Sequence, residues 1–254
     1  MDKERVIEIH NQRNELVVKS NDLIRGTRYN LSVVEQKIVI YLISKIVAED
    51  KDLKKVSLSV KDYCDLTGIE KGGRGYQIVK NNIKSLSDKS WWIKNGEKEE
   101  LFRWIDTARV QKNSGEIEVV LSESLKPFLI QLKGNFTKYE LINILTLHSK
   151  HSIRLYELFK SYLWLGKWNV SIDELKEILL IQDKYKDYRD LKKFVIEPSV
   201  KEINKFTDLK IEYNPEKEGR RITKINFIIG EKTGVQLTLD LLFNQEERLS
   251  TRNE

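Results

Sequence analysis

Cysteine, histidine, proline and methionine are all scarce in this 254-residue chain: one Cys, three His, three Pro and one Met. The lone Cys64 cannot form an internal disulfide and fits a reducing cytosol. Three prolines and 12 glycines are too few for a largely disordered protein. No apolar run approaches the roughly 18 residues needed to cross a bilayer. The N-terminus is charged from Asp2 onward, so no secretory signal is expected there. Neither sign of charge is missing: 45 Lys and Arg stand against 39 Asp and Glu, a net +6. That excess suits nucleic acid and many other partners equally, so the placement of the basic residues must decide.

What is present is apolar material for two ordinary domains, 40% of the residues, and a pattern that occurs twice. The first copy opens with an apolar helix over residues 31–47, followed by a short alternating strand with Val56, Leu58 and Val60. Ser59 and Asp62 then form a capping-box signature for a helix that buries Val60, Tyr63 and Leu66 and ends at Gly68. The second copy runs through a helix over 152–166, a strand from Lys167, and Ser171 with Glu174 opening a helix that buries Ile172, Leu175 and Ile178. Ser59 and Tyr76 are 17 positions apart, and so are Ser171 and Tyr188. Each tyrosine starts a further helix, with buried stripes Tyr76, Val79, Ile83, Leu86 and Tyr188, Leu191, Val195.

Each copy then ends in hairpin strands. The first has turn signals at Asn95-Gly96 and Ser114-Gly115; the second has Asn214-Pro215 and Gly219 between alternating strands. Helix, strand, helix, loop, helix, hairpin is the order of a winged helix. The expected fold is therefore α+β, two tandem winged-helix domains over 14–134 and 135–232, with the junction at Gly134-Asn135. Residues 1–13 are read as a polar N-terminal tail and 233–254 as a C-terminal tail, polar from 245 onward. The apolar run at 237–243 is expected to pack on a domain or meet a partner.

In such a fold the third helix of each copy enters the major groove. The first exposes Gln77, Lys80, Asn81 and Lys84, with Arg74 just before them. At 100° per residue the second places Lys186, Arg189 and Lys193 on one side, with Lys192 at its edge. Asn and Gln suit adenine edges, and Lys and Arg suit guanine or phosphate. The second hairpin adds Lys217, Arg220, Arg221 and Lys224, a basic wing. Polar helix faces are common, and it is the repeat that favours DNA over an ordinary solvated surface. Pro198 is expected to kink or restart the second reading helix.

Three blocks, in order, resemble the initiator proteins of iteron-type plasmids: 14–44, 136–162 and 190–229, with sequences such as YNLSVVEQKIVIYLIS, FTKYELINILTLHSKHSIRLYELFKSY and DLKKFVIEPSVKEINKFTDLKIEY. The resemblance implies two winged-helix domains that bind repeated origin sites on double-stranded DNA and start theta-type replication in the bacterial cytoplasm. It also implies a homodimer, formed through the first domain, that represses its own promoter, and recruitment of the host initiator and replicative helicase. A transcriptional repressor with the same domains is the rival among binding proteins.

Enzyme readings fare worse. A rolling-circle nickase needs a nicking tyrosine and, usually, two histidines separated by one residue; His148 and His151 are separated by two. Gly72, Gly73 and Gly75 lack the Lys-Ser/Thr of a phosphate loop and are read as a flexible lead-in to the first reading helix. Cys64 is read as core, and tryptophans such as Trp91, Trp92 and Trp104 as hairpin core or dimer face. No cofactor, metal or membrane role is expected.

Overall fold

A computed structural model describes residues 7–8, 11–95, 98–110 and 114–233, so the apolar run at 237–243 and the Gly96 turn lie outside the described residues. The chain divides into two compact units, 1–145 and 146–254. The first begins with strand β1 (Leu16–Ser20) and the short helix α1 (Asn21–Gly26), then α2 (Val33–Ser44), β2 (Val56–Ser59), α3 (Val60–Thr67) and α4 (Gly73–Ser87). Strands β3 (Ser90–Asn95), β4 (Lys98–Arg103), β5 (Ile105–Val110) and β6 (Glu116–Leu121) follow, then α5 (Lys126–Leu129), β7 (Phe136–Glu140) and α6 (Ile142–Leu145).

Local chemistry accounts for these elements. Ser59 Oγ accepts from the Asp62 amide at the start of α3, and Gly68 ends that helix at φ 75°, donating to the Cys64 carbonyl. The two-way capping box is completed at α2, where Ser32 accepts from the Glu35 amide and the Glu35 carboxylate accepts from the Ser32 amide. Glu35 is buried, and also accepts from Lys89 Nζ and Ser85 Oγ, each at 2.6 Å. Burial pushes its pKa up, but the bonds from Lys89, Ser85 and Ser32 outweigh it and hold the carboxyl below its usual range. This cluster ties the start of α2 to the end of α4.

Two hairpins, not one, follow α4. Strands β3 and β4 form a separate two-stranded sheet, while β5, β6 and β2 make a three-stranded sheet in the order β2-β6-β5. Trp91 and Trp104 bury against each other with ring centroids 4.3 Å apart, whereas Trp92 is exposed. Gly115 takes φ 70° in the second of these hairpins, as the Ser114-Gly115 signal requires.

The expected junction at Gly134-Asn135 is displaced. Phe136–Glu140 pairs antiparallel with Leu16–Ser20, Phe136 opposite Ser20 and Glu140 opposite Leu16. Lys37 Nζ in α2 then donates to the Leu145 carbonyl at 2.7 Å. These long-range bonds place 136–145 in the first unit. The expected N-terminal tail is also partly structured, since residues 7–8 and 11–13 are helical. The chain just beyond is pinned by Glu15, whose carboxylate receives Lys45 Nζ at 2.5 Å.

The second unit contains α7 (Lys150–Tyr162), β8 (Lys167–Ser171) and α8 (Ile172–Ile178), then one unbroken helical stretch from Tyr188 to Phe206. That stretch consists of α9 (Tyr188–Leu191), a π turn (Lys192–Ile196) and α10 (Glu197–Phe206); β9 (Leu209–Glu218) and β10 (Arg221–Glu231) close the unit. The sheet order is β8-β10-β9. Ser171 Oγ accepts from the Glu174 amide, the same cap as in the first unit. Lys160, nearly buried, ties α7 to both ends of the hairpin through Asp208 and Glu231, each at 2.9 Å. No helix among the described residues is long and apolar enough to cross a membrane.

Candidate nucleic-acid interface

In the first unit, α4 is a regular helix of 15 residues with Val79, Ile83 and Leu86 buried and Tyr76 half-buried. Gln77, Lys80, Asn81 and Lys84 are exposed on its other face. Arg74 is exposed too, with Nη1 3.7 Å from the Glu70 carboxylate. The glycine stretch is not a flexible lead-in, because Gly73, Arg74 and Gly75 form the first turn of the helix. Only Gly72, at φ 94°, precedes it. Gly75 is required by close approach: a Cβ there would sit 2.1 Å from the Glu70 carbonyl oxygen.

In the second unit, Pro198 neither kinks away nor restarts the helix. Proline has no N–H for the Phe194 carbonyl, and its ring would crowd that carbonyl in a regular turn. The π turn removes the conflict, with the Glu197 amide donating to Lys192 O, five residues back. The same turn explains a mismatch in the apolar pattern. Tyr188, Leu191 and Val195 follow one helical phase, while Ile196, Ser199, Val200 and Ile203 follow another, one residue later. Leu191, Val195, Ile196 and Ile203 are all buried, although a strict 100° step would spread them over an arc of about 140°.

On the solvent side, the Arg189 side chain is 86% exposed, with Nε 3.8 Å from Asp190. Lys193 is exposed, and half-buried Lys192 reaches Glu197 at 3.2 Å. Glu197 also accepts from the Tyr213 phenol of β9, which joins the helix to the wing. Lys186 does not lie on the helix as expected; it precedes the Asp187 N-cap, because the helix begins only at Tyr188.

The wing is longer than the sequence suggested. Asn214 and Pro215 are within β9, paired with Asn226 and Ile225, and the turn is confined to Gly219 and Arg220. Pro215 is tolerated because β9 is an edge strand. Gly219 supplies φ 63° at the tip, and a bulge between Ile222 and Lys224 bends β10.

These elements meet at one cleft of about 760 Å³, lined by Ile172, Asp173 and Lys176 of α8, by Lys186, Asp187 and Tyr188, and by Lys217, Arg220, Arg221, Ile222 and Thr223 of the wing. Five of its lining residues are basic and two acidic, so the cleft favours an anion. Lys224 is exposed on the wing but does not line the cleft. Sequence reading missed Lys176, which lies beyond the reading helix and the hairpin tip; only the packing of α8 against the wing brings it here. It also missed Phe194, 54% exposed on the reading helix, because a regular helical step gave that position no special meaning.

The residues weighed for catalysis have other surroundings. Cys64 is buried and burial raises its thiol pKa, the opposite of nucleophile activation. The Glu202 carboxylate accepts from the His148 amide at 2.6 Å and lies 3.3 Å from the imidazole Nδ1. Burial, with Lys150 and Lys184 nearby, lowers the His151 pKa to about 4. Among the described residues no group of three or more His, Cys, Asp or Glu side chains is placed to hold a metal ion.

Comparison with known proteins agrees with this architecture. Residues 16–160 match the family described as "Initiator Replication protein, WH1", and residues 171–229 match "Initiator Rep protein, WH2". A "Replication initiation protein" of Escherichia coli is 28% identical over 243 residues, covering 91% of this chain and 75% of that protein. The "PI protein" of Escherichia coli is 31% identical over 152 residues, 53% of this chain and 50% of that protein. Among solved structures, that of the Pi initiator protein in complex with iteron DNA superposes with a TM-score of 0.70 at 20% identity, covering 87% of this chain and 99% of that one. With a winged-helix unit matched in each half and the first match alone spanning more than half of its length, this chain belongs to the initiator replication protein family.

Proposed function

We propose that this protein starts theta-type plasmid replication by binding iterons, the repeated duplex sites of an origin, and that its second domain is the principal reader. The observation that carries this reading is the convergence of Lys186, Lys217, Arg220 and Arg221 on one cleft at the start of the exposed face of Arg189 and Lys193. The wing cations engage phosphate, the helix face reads base edges, and the first domain adds Gln77, Lys80, Asn81 and Lys84 as a second reader. The likeness to an initiator solved with iteron DNA supports the same reading.

The chain supplies no chemical step. Its work is binding energy, gathered from many copies on adjacent repeats and spent on distorting the duplex. As a homodimer it represses its own promoter, and at the origin it recruits the host initiator and replicative helicase, all in the bacterial cytoplasm.

The test is a titration of the repeats beside this gene with Arg189 and Lys193 both replaced by alanine. Affinity is expected to fall by about 2 kcal/mol or more, at roughly 1–3 kcal/mol per base contact, with weaker sequence preference. Unchanged affinity and unchanged preference would remove the helix from the interface.

A further inference from the structure

The exposed face of the second reading helix carries one large apolar side chain among its charges. Phe194 is 54% exposed, on the turn that the π geometry widens. Lys193 Nζ lies 5.2 Å from its ring centroid. Tyr185 also stacks against it, with centroids 6.1 Å apart and planes 26° from parallel. Tyr185 reaches that position with φ 51°, a left-handed backbone that a tyrosine rarely adopts. A residue in a sparsely populated backbone conformation thus braces an aromatic ring that faces water, and strain of this kind collects at functional sites.

The neighbours say what the ring meets. Lys193 is the cation beside the ring, one turn from the exposed Arg189, whose Nε lies 3.8 Å from Asp190, while Lys192 pairs with Glu197 at 3.2 Å. A helix face of this kind seats in the major groove of duplex DNA, where the only apolar group on a base edge is the thymine 5-methyl. Phenylalanine makes the contact that such a methyl offers, and desolvating the two together is favourable without any hydrogen bond.

We propose that Phe194 reads a thymine methyl in the major groove, with Tyr185 holding the ring in position. This rests on the second-domain helix being the DNA reader. Deoxyuridine tests it directly, since it differs from thymidine only by that methyl.

A duplex selected by the whole protein from a randomised pool is resynthesised with each thymine in turn replaced by deoxyuridine. For the unaltered protein, one position is expected to lose about fourfold in affinity, the worth of burying one methyl. Phe194→Ala should bind the thymine duplex more weakly and show no penalty at that position, while Phe194→Leu keeps part of it. An identical deoxyuridine profile in Phe194→Ala and the unaltered protein would overturn the proposal. So would normal single-site binding by Phe194→Ala with lost cooperativity on tandem sites, which would make Phe194 a protein contact. Failure of the unaltered protein to select any duplex would instead remove the reading of the helix as a DNA reader, and is distinguishable because it precedes every variant.

Discussion

The two domains share an element order yet spend their charge differently. In the first, the Glu118 carboxylate of β6 pairs with both Lys55, just before β2, at 2.7 Å and Arg109 of β5 at 3.2 Å. In the second, Lys217, Arg220 and Arg221 stand at the hairpin tip and turn toward a shared cleft. The helices differ as well. Helix α4 is regular throughout, whereas its counterpart contains a π turn, a proline and an exposed aromatic. A duplicated fold therefore need not duplicate a function. The scaffold is kept by periodicity and caps, while the surface charge and one local irregularity differ between the copies.

The largest effect should come from the wing. Replacing Lys217, Arg220 and Arg221 together with alanine is expected to weaken duplex binding by about 100-fold at physiological salt and to lower the slope of log affinity against log salt by about three. An unchanged slope in a salt titration would show that these residues meet no phosphate, and the asymmetry between the wings would lose its meaning.

Acid should separate the domains next. The folded His151 imidazole has a pKa near 4 against an ordinary 6.5, so between those values the unfolded state binds more protons. Its contribution to the second domain is complete above about pH 6.5 and declines as pH falls toward 4. His151→Gln should lessen that decline by about 2 kcal/mol, allowing for partial solvent screening, as read from urea midpoints at pH 7 and pH 4.5. Parallel acid profiles for the variant and the unaltered protein would show that the ring is not held neutral.

The smallest effect is expected at α4 of the first domain. Lys80→Ala with Lys84→Ala should cost about fivefold in affinity, near 1 kcal/mol, with the sequence preference largely kept. A loss as large as that of the wing variant would make the two domains equal partners.

Much of this architecture was legible beforehand. Ser59 and Ser171 cap the helices they were expected to cap, and Val79, Ile83, Leu86, Leu191 and Val195 are buried as their spacing required, while Tyr76 and Tyr188, which head the two stripes, are only half-buried. The misses share a cause. The 136–145 segment was assigned to the second domain because its pairing partner, Leu16–Ser20, is more than a hundred residues away. Asn214-Pro215 resembled a turn because the dipeptide carries that local preference, which an edge strand overrides. The π turn was announced by a one-residue slip in the apolar pattern, a signal that a fixed helical step erases.

Short-range order was thus decided by the chain itself: which residues cap, which face is apolar, where a motif recurs and to which family it belongs. Those properties depend on neighbours within one or two turns, where spacing along the chain and spacing in space are nearly the same. Only the folded structure decided that Lys176 of α8, Lys186 before the helix and Arg221 of the wing line one cleft, and that Phe194 is left facing solvent beside Tyr185. Such meetings are set by how elements pack at long range, and no period along the sequence encodes them.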